Sequence, residues 1–95
     1  MFVIVLEYAK PLEEVDRWLE EHREFLRENY ALGRFIASGP CVPRTGGVIL
    51  ARGCSRCELD AILERDPFKR EGVAAYSVME FDAVMTDPAF APFVK

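Results

Sequence analysis

From Phe2 to Tyr8 the chain reads Phe-Val-Ile-Val-Leu-Glu-Tyr, with Phe2, Ile4, Leu6 and Tyr8 on one side of an extended backbone and Val3, Val5 and Glu7 on the other. Alternation in β-branched and aromatic residues predicts a strand, and both of its faces are apolar enough to be buried. The period changes at Pro11. Val15, Trp18, Leu19, Phe25 and Leu26 then recur at helical spacing, while Glu20, Glu21, Arg23, Arg27 and Glu28 fall mostly elsewhere around the cylinder. Pro11 fits a first helical turn, where its missing N–H costs nothing, and Glu13, Glu14 and Asp16 suit the positive end of the dipole. A helix over about residues 11–30 is expected, with one polar residue, His22, in its apolar stripe.

Gly33 is a stop signal, and Arg34 to Ser38 reads as a second strand ending at Gly39-Pro40. After a loop at 41–46, Gly47-Val48-Ile49-Leu50-Ala51 predicts a third strand. Ser55 followed three residues later by Glu58 is a capping box, and Leu59, Ile62 and Leu63 give the stripe of a second helix that ends at Asp66-Pro67. Val73 to Phe81 is the fourth strand. The order β-α-β-β-α-β is the ferredoxin-like α+β pattern, an antiparallel sheet with both helices on one face. Yet the fourth strand, like the first, is apolar at both sets of alternate positions, so the helix-free face needs a cover. A second copy of the sheet is the simplest cover, which predicts a homodimer and leaves a higher oligomer open. The aromatic, proline-rich stretch from Asp87 to Lys95 is expected to dock on a surface rather than act as a solvated linker.

Composition narrows the classes. Ninety-five residues, 51% of them hydrophobic, suit one domain spanning 1–95, small enough that association or a ligand often supplements the core. A net charge of −4 without a Lys/Arg cluster argues against nucleic acid as partner. The apolar opening ends at Glu7, far short of a membrane span, and no basic segment precedes it, so neither membrane nor secretion is expected. Three cysteines cannot pair evenly, which adds to a cytoplasmic reading.

Candidate chemistry is sparse: there is no phosphate-binding glycine loop and no paired metal-ligating histidines, so neither cofactor nor metal is expected. Two readings of His22 stand side by side. It is either a satisfied core histidine or a general acid/base, a role for which it is the one side chain in the protein with an ordinary pKa near neutrality. Asp66 likewise is either an Asx-type turn before Pro67 or a carboxylate that the end of the second helix delivers to the first, where it would orient His22. Cys54-Ser55-Arg56-Cys57 sits at a predicted helix start, where the dipole lowers thiol pKa values. One such pair gives two of a zinc site's four ligands, and Cys41 would have to join from another loop, so incidental thiols are the expectation.

The strand-helix opening, His22-Arg23-Glu24-Phe25-Leu26, Ala37-Ser38-Gly39-Pro40, Gly46-Gly47, and above all Asp66-Pro67-Phe68 followed by Gly72-Val73, resemble the YCII-related (YciI-like) proteins. The resemblance spans nearly the whole chain. It implies a dimeric α/β barrel, two ferredoxin-like sheets packed face to face, similar to muconolactone isomerases and small cofactor-free monooxygenases. It also implies that His22 and Asp66 form a catalytic pair and that Ser38 is a hydrogen-bonding, ligand-binding residue; the C-x-x-C is a departure from the family pattern. The expected function is binding of a small organic molecule, with proton transfer next to a carbonyl leading to isomerisation or elimination. The alternative is a non-catalytic binding or interaction module of the same fold.

Overall fold

The computed structural model describes residues 1–94. Its centre is β1 (Phe2–Tyr8), flanked by β3 (Gly46–Ala51) and β4 (Ala74–Glu80), with β2 (Phe35–Pro40) outside β3. The sheet order is β2-β3-β1-β4 and every neighbouring pair is antiparallel, the expected ferredoxin-like arrangement. Ile4 lies opposite Ile49 on one side and Val78 on the other, so a single row of apolar side chains crosses the middle of the sheet. Close approach of β3 to β1 requires a glycine at 46, since a Cβ there would lie 1.8 Å from the Leu6 carbonyl oxygen.

Four helices cover the face carrying Phe2, Ile4 and Leu6. The helix expected over 11–30 is divided at Trp18 into α1 (Leu12–Arg17) and α2 (Leu19–Ala31). Trp18 has φ −103° and ψ 3°, and its N–H bonds to the Val15 carbonyl three residues back, a tightened turn, before the helix resumes with the His22 N–H on the Trp18 carbonyl. Gly33, at φ +73°, reverses the chain after α2, where a side chain would be strained. Ser55 caps α3 (Arg56–Leu63) with both halves of the capping box formed. α3 stops at Leu63, short of the expected Asp66, and the chain then enters a separate one-turn helix, α4 (Pro67–Arg70), capped by Asp66. Pro67 explains the break, because its ring excludes the residue before it from helical geometry.

The core joins β1 to Val15, Phe25, Leu59, Leu63 and Phe68. Burial stops at this layer. On the helix-free face Val3 and Leu50 are half-buried, while Val5 is 43% and Met79 65% exposed, so the single chain leaves open the face that the sequence reads as needing a cover. Just beyond β4 the chain pairs with residue 1, Phe81 N–H to the Met1 carbonyl at 2.9 Å and the Met1 ammonium to the Phe81 carbonyl at 3.0 Å. Val84 and Met85 after it are exposed, and the stretch expected to dock, from Asp87 on, pairs Phe90 with Phe93, ring centroids 5.6 Å apart, around a short 3₁₀ turn (Ala91–Val94). It forms a small cluster of its own rather than joining the core, and Lys95 lies outside the described residues.

Candidate active site

α2 and the turn between α3 and α4 meet over the sheet, and there the sequence's one histidine finds its partner. His22 Nδ1 is 2.8 Å from Asp66 Oδ1, in a contact with Asp66 fully buried and His22 8% exposed. The same Oδ1 accepts the Phe68 N–H at 3.0 Å, and Oδ2 accepts the hydroxyl of Tyr76. The turn before Pro67 and the contact with His22 are therefore formed by one side chain. One oxygen caps α4 and holds the imidazole, and the cap geometry is what aims the carboxylate at α2.

A carboxylate with no exposure is costly unless its oxygens are occupied, and three donors meet that need. Because an ionised carboxylate only accepts, Nδ1 is the protonated nitrogen and Nε2 the unprotonated one. The Tyr76 phenol is pushed far above its ordinary range by burial, then by the neighbouring Asp66 charge and the hydrogen bond to it. It acts as a fixed donor and not as a base. The imidazole lies flat against Phe68, centroids 3.9 Å apart and planes within 2°, with Phe25 stacked at 6.4 Å on a second contact. Ring packing and the carboxylate together fix the imidazole's plane and tautomer.

His22 borders a cleft of about 370 Å³ between α2, β1, β3 and the end of β2. Leu6, Leu19, Leu26 and Ile49 give it an apolar body. Ser38 lines it too, since the register sets it opposite Ile49 on the helix-facing side of the sheet. Its hydroxyl is 2.7 Å from that of Tyr30, and the histidine's partner is Asp66, so the structure assembles no Ser-His-Asp triad around Ser38. Arg44, on the loop after β2, lines the cleft with its Nη2 2.6 Å from Asp16 Oδ1.

Cys41, Cys54 and Cys57 are free thiols, and no cluster of three or more metal-ligating side chains occurs among the described residues. Burial pushes the Cys54 thiol upward, against the activation that a helix start could give.

Tyr76 was not singled out from the sequence. The signal was present in the alternation of β4, which places Ala74, Tyr76 and Val78 on the face of Leu6 and Ile4. What alternation lacks is the position of α4 above that strand.

The model of the YCII-related domain matches residues 1–82. The chain belongs to the YCII-related family. This member is also similar in structure to the 5-chloro-2-hydroxyhydroquinone dehydrochlorinase of Burkholderia phenoliruptrix AC1100, solved in complex with 2,5-dihydroxybenzoquinone. The TM-score is 0.71 at 20% identity, over 85% of this chain and 93% of that one, a likeness of fold. No curated protein matches the chain. The ferredoxin-like antiparallel sheet with helices on one face is thus reached from the sequence and from the coordinates alike. The tail beyond residue 82 lies outside the family match.

Proposed function

We propose that this YCII-related protein is a cofactor-independent enzyme in which His22 transfers a proton at a carbon next to a carbonyl, leading to isomerisation or elimination. The observation that carries the reading is the Nδ1 to Asp66 contact of 2.8 Å at the wall of an apolar cleft. With Nδ1–H given to the carboxylate, Nε2 is the basic nitrogen, and the imidazolium formed on proton uptake sits beside a buried negative charge. Tyr76 and the Phe68 N–H act through Asp66 as positioning groups. Elimination of halide, which the related dehydrochlorinase's name describes, has the same need: a base at carbon and no redox partner.

The chain works, on this proposal, as a single domain in a cytoplasmic homodimer whose subunits cover each other's open sheet face. Support comes from the exposed Val5 and Met79 and from three unpaired thiols. The low exposure of His22 favours a second reading, a binding module in which the imidazole is a held structural group.

Deuterium uptake from D₂O into enolisable ketones, lactones and 2-hydroxyquinones, followed by NMR, separates the two. The enzyme reading expects uptake or halide release with at least one compound, reduced about 10²- to 10⁴-fold in His22→Asn. In Asp66→Asn the side chain retains the oxygen that caps α4 but loses the charge, and the rate falls while the fold is kept. Binding without exchange for every compound, or rates unchanged in both variants, would leave only the binding module.

A further inference from the structure

The protein carries 16 acidic against 12 basic side chains, yet the residues lining the cleft include His22, Arg23 and Arg44 and no aspartate or glutamate. Their acidic partners, Asp66 for His22, Glu20 for Arg23 and Asp16 for Arg44, lie outside that lining, so the groups that face the cleft are the two guanidiniums and the imidazole. A small anion entering here moves against the net charge of −4, so the basic groups at the cleft must supply the attraction themselves.

The two arginines differ in how they are held. Arg44 is braced by Asp16 Oδ1 at 2.6 Å and stands with its guanidinium carbon 5.8 Å from the Tyr8 ring centroid. Hydrogen bonds to Asp16 and then to Tyr8 raise its pKa further, so it is a permanent cation fixed at the wall. Arg23 is 3.7 Å from Glu20 across an exposed helix surface, a loose pair that a better-placed carboxylate can replace. A guanidinium presents several N–H groups in one plane, and a planar oxyanion is the partner that matches them. The rest of the lining is mostly apolar, with the Tyr8 and Phe68 rings and the Ser38 hydroxyl among it, and the volume lies near the small end of the roughly 300–1,000 Å³ usual for ligand pockets.

We infer that the ligand of this cleft is a ring-sized anion, an apolar planar body bearing one oxyanion on unsaturated carbon, either a carboxylate or an ionised enol, with Arg44 and Arg23 as its charge-recognition residues. The inference rests on the reading of the cleft as the substrate site and names its substrate class. It also suits proton transfer by a lone histidine, because negative charge developing on an enolate oxygen is stabilised by a preorganised cation.

The test uses the full chain, ¹⁵N-labelled, with the backbone amides of Gly39, Gly47 and Val48 as reporters at the cleft. Benzoate and benzamide share shape and differ in charge, and 2,5-dihydroxybenzoquinone supplies the ionised-hydroxyl alternative. Benzoate or the quinone is expected to bind at least about tenfold tighter than benzamide, a preference that falls below about threefold in Arg23→Gln/Arg44→Gln while benzamide binding is kept. The tighter of the two anions names the head group. Both arginines are exposed, so the variant is expected to fold, and Arg44→Gln alone gives a second measurement. Equal affinity for benzoate, the quinone and benzamide in the wild type, or an anion preference that survives both substitutions, overturns the inference and leaves the proton-transfer proposal standing. If none of the three perturbs the reporters, the substrate-site reading and the inference fall together.

Discussion

Tyr76→Phe removes a single oxygen and asks what Asp66 is worth when one of its donors is gone. In the wild type the phenol donates to Oδ2 of a carboxylate with no exposure, while Oδ1 has the Phe68 N–H and His22. Phenylalanine keeps the packing and leaves Oδ2 without its donor, at a cost of about 1–3 kcal/mol near neutral pH. The pH dependence is more specific. The folded protein holds the Tyr76 pKa above its ordinary value of 10.0, so the extra stability is complete below about pH 10 and is lost as pH rises towards the folded value. Each pH unit in that window removes about 1.4 kcal/mol of the wild type's advantage over the variant, because the unfolded tyrosine ionises and the folded one does not. Urea unfolding followed by circular dichroism, at one fixed protein concentration, gives the gap at about pH 8 and at steps from about pH 10 to 11.5. A gap of the same size at every pH would refute the reasoning, since the phenol would then be as free to ionise in the fold as out of it.

The open sheet face makes its own demand: sedimentation at micromolar concentration should give a dimer with a total interface above about 1,000 Å², and Val5→Lys, on a side chain 43% exposed in the single chain, should shift it to monomer. A wild-type monomer would refute the cover by a second copy. Cys54→Ser/Cys57→Ser should leave fold, assembly and cleft binding nearly unchanged, and a thiol reagent should modify exposed Cys57 faster than half-buried Cys54, whose thiol burial holds in the neutral form. Stoichiometric zinc that disappears in this variant would make the pair a site after all.

Local signals in this chain are strong, and they determined most of the elements. Alternation over Phe2–Tyr8, the Ser55/Glu58 box and the Gly33 stop each act within a few residues, so their physics is complete in the sequence. Four strands and a helical stripe with those boundaries leave few ways to bury one apolar face, and the antiparallel order follows. The break at Trp18 was not legible, because the apolar stripe runs through it and only the backbone hydrogen bonds reveal the tightened turn. Proline marked the stop before α4 correctly, but not the short helix beyond it.

The site divides along the same line. His22 stood out as the polar interruption of an apolar stripe, and Asp66 through a motif, whereas their contact spans 44 residues of sequence and depends on how α4 seats against α2. Tyr76 could be placed on a face of its strand, and nothing local said that a buried carboxylate would lie above it. The cleft's arginines are the extreme case: Arg23 and Arg44 are ordinary members of charged stretches, and they line one cleft only because α2 and the loop after β2 are packed over the same end of the sheet. Periodicity fixes which side of its own element a residue faces; which groups share a low-dielectric space, and so which charges matter to each other, is set by the packing of elements distant in sequence.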